Sequence, residues 1–191
     1  MFYHWLFFSL FLVMWGGWLA VWNVMARNVK EAAQTEGRAS RLSHIVPLVI
    51  AACLLVARVP LPLLNDRFVP LAIWPAALGA ALTFAGLAFC VWARFAIADN
   101  WSSDVQLKRD HELIVEGPYR WVRHPIYTGL LLAFIGSALA VGEWRGALAV
   151  AIVALAFWRK LRREEAVMRG QFGEAYDRYA ASVPALIPFV G

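Results

Sequence analysis

Between Glu116 and Gly129 the chain reads EGPYRWVRHPIYTG, which gathers arginines, aromatics, an imidazole and two prolines just ahead of an apolar run. Polar groups this dense at a membrane boundary usually do chemistry. Pro125 suits the first turn of a helix, where its missing N–H costs nothing, so Arg123 and His124 stand at the helix's positive end and form a site for an anion. Two further polar pieces fall on the same side of the topology described below. One is the connection from Asn100-Trp101-Ser102 through His111-Glu112-Leu113-Ile114, and the other is Glu164-Glu165 after the last apolar run. A pocket built from all three holds both signs of charge. Taken singly, each piece has a bland reading: Arg120 and Arg123 as topology anchors, Tyr119 and Tyr127 as interfacial aromatics, and Glu164 as an i,i+4 partner of Lys160. The full set in one short stretch, with His124 beside a helix-starting proline, favours a site.

The elements that must position these residues are apolar. With 61% hydrophobic and 16% charged residues and a mean hydropathy of +0.59, the 191-residue chain is excluded from the ordinary soluble globules, because no fold of this size hides so much apolar surface. Five apolar segments lie between charged breaks: Phe2–Met25, Ile45–Leu64, Leu71–Ala93, Pro125–Val141 and Trp144–Trp158. The expected fold is all-α, a polytopic membrane helical bundle of about five transmembrane helices with a cytoplasmic C-terminal amphipathic helix. The first segment has no basic leader and no small-residue cleavage site, so it reads as a retained helix. Pro47, Pro60 and Pro62 mark the second segment as the one most prone to kink or break. Only Gly142 and Glu143 separate the last two, which predicts a tight hairpin with Arg145, Arg159 and Lys160 snorkelling toward the headgroups. The residues Phe172, Tyr176 and Tyr179 make an apolar stripe expected on one surface helix, and Val183–Phe189 is expected to fold back on the bundle. One unit covers 1–191, with three spans in 1–93 and the binding and catalytic part in 94–191.

Charge sets the orientation. Of 18 Lys and Arg residues, four fall between Arg27 and Arg41, five between Arg94 and Arg123 and six between Arg159 and Arg178, which leaves Arg58, Arg67 and Arg145 for the other face. Five spans with the N-terminus outside place all three basic regions in the cytoplasm. The net charge of +5 is spread over segment ends and forms no continuous stripe, so no nucleic acid is expected as partner. Cys53 and Cys90 lie in apolar runs, with neither a disulfide framework nor the spacing of a metal site, and no metal is expected. The sequon Asn100-Trp101-Ser102 is discounted as cytoplasmic, His111 between Asp110 and Glu112 taken alone reads as a surface residue, and His4 and His44 have no evident partner in the sequence.

Read together, NW at Asn100, HELIVEGPY from His111, RHPIY from Arg123, the pair Glu164-Glu165, FGEAYDRY from Phe172 and the closing VPALIPF resemble the isoprenylcysteine carboxyl methyltransferase family, within the wider phospholipid methyltransferase group. The likeness runs from about Asn100 onward; Ile114 stands where the family has Val. It implies an S-adenosylmethionine-dependent methyltransferase without a Rossmann fold, releasing S-adenosylhomocysteine. It also implies that Gln106, His111, Leu113, Ile114, Gly117 and Tyr119 serve the adenosine end of the cofactor, and that His124, Pro125, Glu164 and Glu165 hold its ribose and amino-acid portion. Arg123, Tyr127 and Arg163 are then the residues expected to act on the acceptor. Similarity to the shorter prokaryotic members implies a bacterial or archaeal inner membrane, with the site facing the cytoplasm.

The chemistry is self-consistent. Methyl transfer from a sulfonium to a carboxylate merges opposite charges, so a drier pocket that aligns the reactants accelerates it without a strong base. A lipid amine, a small thiol or an isoprenoid acceptor is the alternative, and an amine or thiol needs a proton removed first. Rival classes are an NADPH-dependent membrane reductase and a non-enzymatic membrane protein.

Overall fold

The computed structural model describes residues 2–26, 38–97 and 113–188, and among them the regular structure is helical. The elements are α1 (Phe2–Ala26), α2 (Arg38–Val56), α3 (Pro62–Asn65), α4 (Ile73–Ile97), a 3₁₀ turn at Gly117–Arg120, α5 (Pro125–Val141), α6 (Trp144–Phe172) and α7 (Glu174–Ser182). Trp5–Met25 and Ile73–Ile97, with 21 and 25 residues, are long and apolar enough to cross a membrane, and Leu42–Val56 and Pro125–Val141 are shorter apolar helices. Leu12, Val13, Val24, Val56, Phe84 and Leu155 all point outward. That is the inverse of a water-soluble bundle.

The tightest seam is α4 against α5, and it is made of small residues. Gly79 faces Gly136 and Gly86 faces Gly129, seven residues apart on each helix and running in opposite directions. A Cβ placed on Gly79 would meet the Gly136 carbonyl oxygen at 2.5 Å, so only glycine lets the two backbones approach this closely. Between the glycines, Thr83 donates its hydroxyl to the Ala133 carbonyl at 3.1 Å, and Trp15 of α1 donates Nε1 to Ser137 Oγ at 3.1 Å. Lipid offers no hydrophobic drive between helices, so close packing and such bonds hold the seam. Phe134, Phe157, Val153, Leu130 and Leu87 complete a core shared by α4, α5 and α6.

Three details refine the reading of the sequence, and the last two of them correct it. The second apolar segment does not run to Leu64 as one helix: α2 ends at Val56, and α3 is a separate turn started by Pro62. This is the break its prolines foreshadow, although Pro47 itself stays inside α2. Arg145 does not snorkel. It is buried, donating Nε to Glu143 Oε2 at 2.6 Å and Nη1 to the carbonyls of Leu54 and Ala57, where the end of α2 leaves acceptors unfilled. The aromatic stripe is split, because Phe172 ends α6 and Gly173, at φ +51, turns the chain before Tyr176 and Tyr179 on α7. α6 itself continues past Trp158 without interruption, which carries Glu164 and Glu165 on the same rigid rod as the core residue Val153.

Candidate active site

His124 caps the start of α5 and Pro125 occupies its first position. A proline here gives up an N–H that the helix does not use. The two preceding backbone donors are taken by the tail of the chain: Arg123 N–H donates to the Pro184 carbonyl at 2.8 Å and His124 N–H to the Ala185 carbonyl at 3.0 Å. Thr128 adds its hydroxyl to the Leu186 carbonyl at 2.7 Å, so residues 184–186 lie along the first turn of α5.

Against this turn stands α6. Arg123 donates Nε and Nη2 to Glu165 Oε1 at 2.9 and 2.7 Å, and its Nη1 reaches the carbonyls of Ala180 and Val183. His124 lies between the two glutamates, Nε2 at 3.3 Å from Glu165 Oε1 and Nδ1 at 3.5 Å from Glu164 Oε2. The Tyr127 hydroxyl donates to Glu164 Oε1, and the Tyr127 ring stacks between His124 and Phe157 with centroids 5.6 and 4.8 Å away. Lys160 lies 4.0 Å from Glu164, and Arg169 lies 3.8 Å from Glu165. The result is a compact set of alternating charges, with Glu165 buried and Arg123, His124 and Glu164 largely so.

The protonation states follow from these contacts. Burial by itself would lower the His124 pKa, but hydrogen bonds to Glu164 and Glu165 and their charges outweigh it and hold the imidazole protonated above its usual range. Burial likewise pushes Glu164 up, and the His124 hydrogen bond and charge, with Lys160 and Tyr127, bring it below the usual carboxylate range. Glu165 falls to about 2, through the His124 hydrogen bond first and, against burial, the Arg123 bonds.

The signs give a pH prediction. A carboxylate whose native pKa is depressed contributes stability that is complete above about 4.5 and is lost as pH falls toward about 2, while the His124 contribution is lost as pH rises above its native value. Thermal melts of detergent-purified protein should therefore drop steeply below about pH 4.5, and Glu165→Gln should flatten that acid limb. An unchanged acid limb in the variant would contradict the coupling.

Of the residues expected from the sequence, Arg123, His124, Pro125, Tyr127, Glu164 and Glu165 come together. Tyr119 is buried beside them and linked through the tail, since Tyr179 donates its hydroxyl to the Tyr119 carbonyl at 2.7 Å. Burial drives the Tyr119 and Tyr179 hydroxyls well above the ordinary phenol range and lifts Tyr176 to about 12. Leu113 and Ile114 lead into the 3₁₀ turn, where Gly117 takes φ +58 and lies against Ala96 at the end of α4. Arg163 faces elsewhere, into a recess between α2 and α6. Gln106, His111 and the Asn100–Ser102 motif lie outside the described residues. Sequence reasoning missed Thr128, Arg169 and the carbonyls of Ala180 and Val183, of which only Arg169, four residues after Glu165, leaves a signal in the sequence.

Comparison with known proteins agrees with the resemblance. The phospholipid methyltransferase family model matches residues 74–175. The protein-S-isoprenylcysteine O-methyltransferase of Schizosaccharomyces pombe is 32% identical over 83 residues, which cover 43% of this chain and 35% of that protein. Protein-S-isoprenylcysteine O-methyltransferase B of Arabidopsis thaliana is 34% identical over 89 residues, 45% of each chain. The Tribolium castaneum protein-S-isoprenylcysteine O-methyltransferase is 28% identical over 123 residues, 61% of this chain and 43% of that one. The chain thus aligns with less than half the length of these relatives. The structure of the eukaryotic intramembrane Ras methyltransferase, isoprenylcysteine carboxyl methyltransferase, superposes with a TM-score of 0.44 at 20% identity, covering 95% of this chain and 68% of that chain. Because the matched family model spans more than half of the sequence and contains Arg123, His124, Tyr127, Glu164 and Glu165, the chain belongs to the phospholipid methyltransferase family.

Proposed function

We propose that this protein is an integral membrane, S-adenosylmethionine-dependent methyltransferase that esterifies the carboxylate of a lipid-like acceptor such as a prenylated cysteine. The observation that carries the reading is the cluster in which Arg123 and His124 at the start of α5 meet Glu164 and Glu165 on α6. Its donor set fits the cofactor, since a zwitterionic amino-acid end beside a sulfonium calls for carboxylates and cations within a few ångströms of each other. Bound there, the cofactor supplies an electrophilic methyl group. Glu164, Glu165, His124 and Pro125 would hold its ribose and amino-acid portion, and Gln106, His111, Leu113, Ile114, Gly117 and Tyr119 would serve its adenosine end.

The chain's own work is positioning and exclusion of water. Phe157 and the Tyr127 ring wall the carboxylates on the bundle side, which strengthens every charge interaction inside. Arg123 and Tyr127 orient the acceptor, whereas Arg163, turned into the recess between α2 and α6, is not placed to do so. The state of His124 favours a carboxylate acceptor over a lipid amine: an imidazole held protonated between two glutamates is a poor base, and a carboxylate needs none. The bundle crosses the membrane five times, residues 1–93 serve as anchor and 94–191 carry the chemistry. The site faces the cytoplasm of a bacterial or archaeal inner membrane, in keeping with the basic residues around it.

The test is a two-stage assay on detergent-purified protein. S-adenosylhomocysteine should raise the melting temperature while NADPH leaves it unchanged, since a ligand that binds only the folded state stabilises it. Transfer of labelled methyl to a farnesylcysteine analogue should then yield a base-labile ester. Label stable to base would shift the reading to an amine, thiol or isoprenoid acceptor, and stabilisation by NADPH alone would overturn the methyltransferase assignment.

A further inference from the structure

Glu165 divides its two carboxylate oxygens unequally. Oε1 accepts from Arg123 Nε and Nη2 at 2.9 and 2.7 Å and lies 3.3 Å from His124 Nε2, so three donors crowd one atom. Oε2 has a single cationic neighbour among the described residues, Arg169 Nη2 at 3.8 Å. At that distance the pair is ionic without being hydrogen-bonded, which leaves the lone pairs of Oε2 available to a ligand. Arginine and carboxylate readily take a two-pronged pairing, in which Arg123 Nη2 would turn to Oε2 and fill it. Arg169 competes for that oxygen and keeps it apart.

The surroundings of Arg169 fix where it can point. It follows Glu165 by four residues on α6, the favoured order for an acid and a base on one helix face. Its guanidinium is engaged in three ways: Nη2 toward Glu165, Nε donating to Asp177 Oδ1 at 3.2 Å, and the central carbon 5.7 Å from the centroid of the Tyr176 ring. Asp177 and Tyr176 belong to α7. The Gly173 turn that leads into α7 is tied to the same residue, since its N–H donates to the Arg169 carbonyl at 2.9 Å. The direction of Glu165 therefore depends on the seating of α7, the helix that also holds Arg123 through the Ala180 carbonyl. With Arg169 half exposed and Asp177 more so, such pairs add little to stability. What they supply is orientation.

We propose that Arg169 is a positioning residue, seated by Asp177 and Tyr176 of α7, that holds Glu165 with Oε2 free for the ammonium of the cofactor's amino-acid end. The inference rests on the S-adenosylmethionine reading above. An ammonium suits a bare carboxylate oxygen better than a ribose hydroxyl does, because both partners of the bond are charged. Lysine is no substitute for Arg169, since a point charge on a flexible stem has neither the fork nor the flat face.

The test is calorimetric titration of detergent-purified protein with S-adenosylhomocysteine and with methylthioadenosine, which keeps the adenosine and lacks the amino-acid end. Arg169→Gln should weaken S-adenosylhomocysteine about fivefold, the counterpart of about 1 kcal/mol, while methylthioadenosine affinity and the melting temperature of the apo protein stay near those of the parent. Arg169→Lys should recover only a minor part of the lost affinity. Asp177→Asn should weaken S-adenosylhomocysteine about twofold and, combined with Arg169→Gln, add nothing further, because it acts through the arginine. Equal losses for the two ligands would reduce Arg169 to structural support, and full recovery by lysine would leave only its charge. Either result overturns the positioning role, as does parental affinity for S-adenosylhomocysteine in Arg169→Gln. A parent protein that binds neither ligand would overturn the methyltransferase reading and this inference with it.

Discussion

Glu165→Ala should abolish binding of S-adenosylhomocysteine and lower the melting temperature of the apo protein at the same time. Glu165 is the common acceptor for Arg123, with two bonds at 2.9 and 2.7 Å, and for His124 at 3.3 Å. Removing it leaves a guanidinium and an imidazolium side by side in a site from which most water is excluded. Breaking a buried pair on one side costs about 3–5 kcal/mol, far more than the pair's net worth, because the remaining charge has lost its compensation. Loss of fold and loss of site are separated by Glu165→Gln. The amide keeps the shape and one acceptor oxygen, so the melt should stay closer to that of the parent. Affinity for the homocysteine product should still fall by at least about tenfold, the usual worth of a charge-assisted bond. The exposed i,i+4 pair of Arg178 and Glu174 gives the control, and Glu174→Gln should change nothing measurable. If Glu165→Gln binds ligand and turns over like the parent, the assignment of this carboxylate to the site is wrong.

Gly86→Leu should prevent the bundle from assembling. A Cβ at Gly86 would lie 2.4 Å from the Gly129 carbonyl oxygen and 2.6 Å from the Ala133 nitrogen, and both are backbone atoms that cannot swing aside. The helices would have to move apart, which would break the Thr83 bond across the seam along with the packing. A loss above about 3 kcal/mol is expected, seen as aggregation on size exclusion or as collapse of the thermal transition. Gly170→Ala should do the opposite. Nothing lies within 4 Å of its would-be Cβ on α6, so the change should stabilise by up to about 1 kcal/mol through helix propensity alone. A Gly86→Leu protein that melts close to the parent would show that the α4–α5 contact is not what holds the fold.

Much of this was legible in the sequence, for reasons that differ from residue to residue. Helix positions came from apolar runs and prolines, since both act locally: Pro125 starts α5, and Gly142, left-handed at φ +66, ends it. The members of the charged cluster were legible by type, because His124 next to a helix-starting proline and an adjacent pair of glutamates are rare at a membrane boundary. Their pairing was not. That Arg123 binds Glu165 while Tyr127 binds Glu164 depends on how α5 and α6 rotate about their axes, which no local pattern encodes. Arg145 was misjudged for a related reason. Its position at the hairpin between two short apolar runs suggested a headgroup anchor, but the carbonyls that claim it belong to the end of α2, some ninety residues earlier in the chain. Two signals were present and unread. The interval of seven between Gly79 and Gly86 repeats between Gly129 and Gly136, and hydropathy treats such residues as mere spacers. Gly173 is likewise an ordinary helix stop, and it divides the aromatic stripe.

The segment that fastens the mouth of α5 has a consequence for biosynthesis. Pro184, Ala185 and Leu186 supply the acceptors for Arg123, His124 and Thr128, and Val183 takes a further bond from the Arg123 side chain. On the ribosome, α5 and α6 are already made before these residues exist. Because these acceptors follow α6 in the chain, the cluster can close only once the residues up to Leu186 have been made and have left the ribosome.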